Sequence, residues 1–281
     1  MVEQLYHTPD IYRIYVPLPD NPLKYLNCYV LVSDGETLII DTGFNRPECK
    51  QALFDGLDEL QVDFAHTKLF LTHLHGDHSG LTEELTARGV PVFMNAIDYD
   101  YLCQELASGG WQAMEQIFLS EGFPMEEIEK QKKGNQARLY SPHHPFPASK
   151  VSNNNLLTVG GITLRCIHTP GHTPGHTCLY IEEKEILFSG DHILFDITPN
   201  ISVWRNVPYS LADYLESLQK IKCLKVSHTF PGHREFHGDI QDRINALTLH
   251  HHARLKEILD AIDQHPDCTA YETAGRISWS A

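Results

Sequence analysis

Apolar and polar positions along the chain switch between two periods, and the switches mark the elements. Residues 27–43, NCYVLVSDGETLIIDTG, carry two apolar runs on either side of Asp34-Gly35, a dipeptide suited to a two-residue turn with positive φ, and they predict a β-hairpin. Within 47–61, Leu53, Leu57 and Leu60 recur at helical spacing, and TKLFLT at 67–72 returns to a short buried strand. Downstream, ITLRCIH (162–168), TCLYI (177–181) and EILFSGD (185–191) again predict strands. The second half echoes the first: ETLIIDTG at 36–43 and EILFSGD at 185–191 each run from a Glu through apolar residues to an Asp close to a Gly.

Between these halves, 97–140 is rich in helix formers. Tyr99, Leu102 and Leu106, then Trp111, Met114, Ile117 and Phe118 fall at helical spacing, broken by Gly109-Gly110 and Pro124, which predicts a helical insertion. A third helical stretch is expected at 210–222, a short strand around 225–228, and a long helix over about 239–263, stopped by His265-Pro266. The final CTAYETAGRISWSA begins a further helix and ends without an obvious cap, as a truncated chain would. The expected division is a catalytic unit over 1–238, including the insertion, followed by a helical extension over 239–281.

Length allows one large domain or two ordinary ones, since 281 residues exceed the usual ~150 per domain. A composition of 42% hydrophobic and 21% charged residues is that of a folded globular chain. The 37 acidic against 22 basic residues give a net charge of −15, which disfavours a nucleic-acid partner. No run reaches the ~18 apolar residues of a membrane span, and MVEQLYHTPD lacks the charged and apolar regions of a signal peptide. A cytoplasmic location without a membrane partner is therefore expected. The seven cysteines form an odd set with no C-x-x-C pair, so neither a disulfide framework nor a thiolate zinc site is suggested.

Histidine is over-supplied, with 18 residues. Three of them and one carboxylate crowd into Thr72-His73-Leu74-His75-Gly76-Asp77-His78, directly after the strand at 67–72. Burying that much imidazole and carboxylate without a cation would leave polar groups unpaired. Further candidate ligands sit beside Gly or Pro at other strand ends: His172 in TPGHTPGH, Asp191 in SGDH and His233 in PGH. Each taken alone is more often an ordinary turn residue or cap; together, and in this order, they read as ligands carried on loops from a rigid sheet.

Through HLHGDH, TPGHTPGH, SGDH and PGH, in this order across about 25–235, the sequence resembles the metallo-β-lactamase-fold hydrolase superfamily. The resemblance implies an α+β fold, a four-layer αββα sandwich of two similar halves, here with a helical insertion and a helical C-terminal extension. It implies that His73, His75 and His172 bind one metal ion, that Asp77, His78 and His233 bind a second, and that Asp191 bridges them. Imidazole and carboxylate ligands suit zinc, iron or manganese, and zinc is the default expectation. Many β-lactamases of the fold have a Cys where Asp191 stands, and the diiron oxygen-reducing branch has an acidic residue where His75 stands. The chain is closer to the thioesterase, lactonase and phosphodiesterase-like branches, glyoxalase II-type enzymes among them. Residues 244–258 and TAYETAGRI are similar to the start of a winged-helix appendage found in one branch.

A reaction follows from such a centre. Two cations would hold a shared water and lower its pKa from roughly 15.7 toward ~7, while one polarises the scissile carbonyl or phosphoryl oxygen. Asp77, with one carboxylate oxygen free, is the candidate to orient that hydroxide and accept a proton. The expected activity is metal-dependent hydrolysis of a small acyl substrate, a thioester or lactone. The alternatives are a mononuclear iron persulfide dioxygenase-like enzyme, a phosphodiesterase or nuclease, and a metal-binding protein without turnover. Self-association into a homo-oligomer is left open.

Around the ligands, Asp41 reads equally as an acceptor for the outer N–H of a ligand His or as a turn cap. His176 and His192 could likewise orient a ligand or face substrate, against the plainer reading of satisfied structural residues, and His143-His144 and His250–His252 read as mainly solvated. Tyr99, Tyr101, Trp111, Phe118 and Phe123 make the insertion the candidate for substrate selection, against the plainer reading that they pack it onto the sandwich.

Overall fold

The hairpin predicted from Asp34-Gly35 forms, with both turn residues at positive φ. It lies within a run of four antiparallel strands, β1 (Val2–Tyr6), β2 (Asp10–Pro17), β3 (Tyr25–Ser33) and β4 (Glu36–Ile40). Helix α1 (Pro47–Glu59) then crosses over to β5 (Thr67–Leu71), which pairs with β4 in parallel. The short helices α2 (Gly76–Ser79) and α3 (Thr82–Thr86) lead to β6 (Val92–Asn95). Four helices follow, α4 (Ala96–Ser108), α5 (Trp111–Ser120), α6 (Met125–Gly134) and α7 (Gln136–Leu139), where the insertion was expected; β7 (Ser149–Val151) completes a seven-stranded sheet.

The second sheet has five strands, β8 (Leu156–Val159), β9 (Ile162–His168), β10 (Thr177–Ile181), β11 (Ile186–Gly190) and β12 (His228–Pro231). Helix α8 (Ser210–Lys222) crosses from β11 to β12, and α9 (Ile240–Gln264) and α10 (Ala270–Ala274) end the chain. The computed structural model describes residues 1–108 and 111–279. The expected break at Gly109-Gly110 lies outside the described residues, and so does the side chain of Trp111.

Strand alternation explains why these strands read as continuous apolar runs. In β3, Cys28 and Val30 face one core with Leu53, Leu57 and Leu85, while Tyr29 and Leu31 face the opposite sheet. In β10, Leu179 and Ile181 meet Tyr29 and Leu31 between the sheets, and Cys178 and Tyr180 face Tyr214, Leu218 and Ile244 of α8 and α9. Three apolar layers thus separate four layers of structure, the αββα sandwich. The half-to-half echo is architectural: each half joins its antiparallel strands to a parallel one through a helical crossover, β4 to β5 and β11 to β12.

Two local expectations need correction. The strand placed around 225–228 begins only at His228, because the β11 ladder starts at Ile186 opposite His228, and the Ser227 amide turns back to the Glu185 carbonyl. His251, expected among solvated histidines, is buried edge-on against Tyr214, and burial pushes it down to about 4. Among the described residues no helix is long and apolar enough to cross a membrane.

Candidate metal centre

The parallel strand pairs end on the same side, and their C-terminal turns carry the polar cluster. Asp41 follows β4 and His73 follows β5, while Asp191 follows β11 and His233 follows β12. The two sheets are joined here directly, through the Thr177 amide donating to the Thr72 carbonyl at 2.9 Å. The result brings together all seven residues singled out in the sequence. Among the described residues, His73, His75 and His172 form one group able to hold a metal ion, Asp77, His78 and His233 another, and His73, His78 and Asp191 a third.

Hydrogen bonding from behind fixes which ring nitrogen faces inward. His78 donates from Nδ1 to Asp41 Oδ2 at 2.8 Å, His172 from Nδ1 to the Asn200 carbonyl at 2.6 Å, and His233 from Nδ1 to the Tyr25 carbonyl at 2.9 Å. Thr72 gives its hydroxyl proton to Asp41 Oδ2, so its oxygen accepts from Nδ1 of His73 at 3.0 Å. Every one of these partners is an acceptor, so each ring, when neutral, turns an Nε2 lone pair into the centre. His75 presents Nδ1 instead, 3.1 Å from His73 Nε2, and His172 Nε2 lies 3.3 Å from the same atom.

The facing Nε2 lone pairs of His73 and His172 repel at 3.3 Å unless a cation lies between them. A tetrahedral ion with bonds of about 2.0–2.1 Å to nitrogen spaces its ligands about 3.3–3.4 Å apart, close to the separations seen. Asp191 spans both groups, with Oδ2 3.6 Å from His172 Nε2 and 3.4 Å from His233 Nε2. Its Oδ1, 3.5 Å from His78 Nε2, is buried without a hydrogen-bond partner among the described residues, as an atom facing a metal ion would be. The residues present therefore fit two divalent cations in charge, ligand type and spacing.

The electrostatics agree with this reading. Burial holds His73 and His172 below the usual imidazole range and takes His75 to about 3, so these rings are neutral. His78 and His233 behave oppositely: burial opposes their charge, but the carboxylates of Asp41, Asp191 and Asp77 outweigh it, raising His78 strongly and His233 to about 10. Burial likewise opposes ionisation of Asp77, yet His78 and His233 hold it at about 2. The carboxylates thus favour positive charge at the second group.

Outer residues complete it. Asp41, for which two roles were open, takes the tautomer-fixing one: besides His78 it accepts the Thr72 amide at 2.8 Å, from a backbone at φ 62°. His176 accepts the Asp191 amide on Nε2 at 3.1 Å and bonds Thr169 through Nδ1, a neutral structural residue that positions Asp191. His192 is fully buried edge-on to Tyr214, and among the described residues neither ring nitrogen has a hydrogen-bond partner, so the satisfied role expected of it is not met. His143 and His144 are exposed, His144 leaning on Glu83 and His143 only 3.5 Å from Asn45. His143→Ala is accordingly expected to change stability by less than about 0.5 kcal/mol and turnover hardly at all, measured by thermal melting and steady-state rates.

Sequence reasoning missed Asp98, the first acidic residue of α4. Its fully buried carboxylate accepts the Leu74 amide and the Thr173 hydroxyl on Oδ2, at 3.0 and 2.6 Å, and the Gly175 amide on Oδ1 at 2.5 Å. It thereby ties the loop of His73 and His75 to the loop of His172. Gly175 permits this approach, since a Cβ there would lie 2.5 Å from the Asp98 amide nitrogen. In sequence Asp98 is one acid in a helix, with no signal beyond that.

Comparison with known proteins gives relatives of the same kind. The family profile described as the metallo-beta-lactamase superfamily matches residues 22–233. An atrochrysone carboxyl ACP thioesterase of Cryptosporiopsis sp. is 26% identical over 94% of this chain and 65% of its own length. A beta-lactamase-like protein 2 homolog of Caenorhabditis elegans is 25% identical over 91% of this chain and 71% of its own. The chain thus spans about two thirds of the length of these relatives. A crystal structure of a metallo-beta-lactamase family protein from Thermus thermophilus superposes with a TM-score of 0.82 at 31% identity, covering 94% of this chain and 85% of that one.

Proposed function

The chain belongs to the metallo-β-lactamase superfamily, and from that premise we propose that it is a metal-dependent hydrolase of a thioester. The observation that carries the reading is the convergence of the His73, His75 and His172 ring nitrogens beside a buried Asp191 Oδ1 that has no hydrogen-bond partner. The choice of a thioester over a lactone is supported by the thioesterases among the relatives, and a small-molecule or carrier-borne acyl group suits an acidic protein better than a nucleic acid does.

His73, His75 and His172 would hold one divalent ion and Asp77, His78 and His233 the other, with Asp191 reaching both; zinc is the default. When bound, two such ions supply a water acidified to near neutrality and polarise the acyl carbonyl. The chain's own residues do the rest. Asp77 stays ionised, its Oδ2 3.3 Å from His233 Nε2, and its other oxygen is the candidate to take the proton of the attacking water. Asp41, Thr72, Asn200 and Tyr25 keep the ring nitrogens aimed, so no reorientation is needed during the reaction.

The test begins with protein purified without added metal. Mass-spectrometric metal analysis is expected to find close to two ions per chain, and acyl-CoA and acyl-pantetheine thioesters to be hydrolysed faster than lactones, phosphodiesters or persulfides. Less than one ion per chain with no thioester turnover would refute the reading. Stripping the metal with a chelator is expected to abolish turnover, to lower the melting temperature, and to be reversed by adding zinc, because ligand binding to the native state alone stabilises it.

A further inference from the structure

The segment between β11 and α8 returns over the first imidazole group, and it carries Trp204. The Trp204 indole Nε1 donates to the backbone carbonyl of His172 at 3.2 Å, and its ring lies roughly parallel to that of His75, 26° apart in plane with centroids at 5.9 Å. Four residues earlier in the same segment, the Asn200 carbonyl takes the Nδ1 proton of His172. His75 and His172 are themselves edge to face at 4.6 Å. One short strap therefore touches two of the three residues of this group, from the backbone of one and the ring face of the other.

The strap is in turn fastened to the helical insertion. Tyr101 of α4 sits edge-on to Trp204 with centroids 5.9 Å apart, and its hydroxyl donates to the Arg205 carbonyl. The Arg205 guanidinium bonds Gln104 of the same helix at 3.2 Å. His78, His172 and His233 are each oriented from behind by a rigid acceptor on Nδ1. For His75, whose Nδ1 faces inward, ring packing against Trp204 does that work.

The geometry points to Trp204 as a positioning residue for the His73, His75 and His172 group: it sets the plane of His75 and the backbone of His172, and links both to α4. This rests on the reading of those histidines as metal ligands. Substitutions of outer residues that orient metal ligands commonly weaken metal binding about 10- to 100-fold. Trp204→Ala is expected to fall in that range at one of the two ions, measured by competition with a chromophoric chelator, with the other ion unaffected. Trp204→Phe keeps a ring against His75 and loses the N–H to His172, so it is expected to fall between wild type and the Ala variant.

Two further readouts separate positioning from mere packing. Co²⁺ loading of the wild-type protein is expected to quench tryptophan emission; Trp204→Phe, with Trp111 and Trp279 intact, is expected to lose most of that quenching and to shift the Co²⁺ visible absorption. In turnover, the loss is expected in kcat rather than KM. Val203→Ala, on the same strap but 59% exposed, serves as the control with unchanged metal binding. Equal metal affinity, equal Co²⁺ spectra and retained quenching in both Trp204 variants would overturn the inference while leaving the metal-site reading intact. Failure of the Phe variant to fold would also overturn it, by making Trp204 a core residue. Absence of metal binding by the wild type would instead remove the reading on which it rests.

Discussion

Asp191→Asn is expected to lower thioester turnover by about three orders of magnitude, roughly 4 kcal/mol of transition-state stabilisation, while the far-ultraviolet spectrum and the fold persist. Asn has the shape of Asp but not the charge that balances two divalent ions. Asp191 reaches toward both groups, Oδ2 lying 3.6 Å from His172 Nε2 and 3.4 Å from His233 Nε2. With an amide at that position one ion is expected to be lost or weakly held, so metal analysis should move from near two toward one per chain. The fold is expected to survive because the substitution keeps the side chain's shape and Asp191 belongs to none of the three apolar layers. Retention of two tightly held ions with near-normal turnover would remove Asp191 from its bridging place and require a different arrangement of the centre.

Asp98→Ala acts from behind, on geometry rather than on charge in the centre. Removing the carboxylate leaves the Leu74 and Gly175 amides and the Thr173 hydroxyl without their acceptor in a buried place. A single orphaned donor costs about 1–3 kcal/mol; three sharing one acceptor relax together, and an overall loss of about 3 kcal/mol is expected. That corresponds to a melting temperature lower by roughly 6–10 °C in a chain of this size. Because the two ligand-bearing loops are no longer tied, turnover is expected to drop on the order of 10²-fold, as displacements near 1 Å do. Thermal melting and steady-state kinetics check both.

Asp98 also gives a pH signature. Burial raises it from the usual carboxylate range to about 7, although the Thr173, Gly175 and Leu74 donors pull the other way. Between about pH 4 and 7 the folded protein therefore binds more protons at this residue than the unfolded chain does. Its contribution to stability is present below about pH 4, falls as pH rises through that window, and is level above about 7. The difference in melting temperature between wild type and Asp98→Asn is expected to follow that slope. A difference that is flat from about pH 4 to 8 would show that Asp98 is ionised throughout.

The sequence by itself was informative wherever a local rule fixes the outcome. Asp34-Gly35 dictated the hairpin because few other dipeptides take two positive φ values, and Leu53 and Leu57 dictated α1 because only one helix face can enter the core. The metal-binding candidates were legible for a related reason: HLHGDH packs four ligands into one turn, and His172, Asp191 and His233 each follow a short apolar run. Their meeting in space is a tertiary fact, produced by two sheets whose parallel strand pairs end on one side. The ring nitrogen each histidine turns inward depends on acceptors as distant as Tyr25 for His233 and Asn200 for His172, which no local pattern names. Asp98, Trp204 and the burial of His251 were hidden for the same physical reason. A carboxylate in a helix, an indole in a loop and an imidazole among other imidazoles acquire their roles only from partners brought near by packing, and packing is a property of the whole chain.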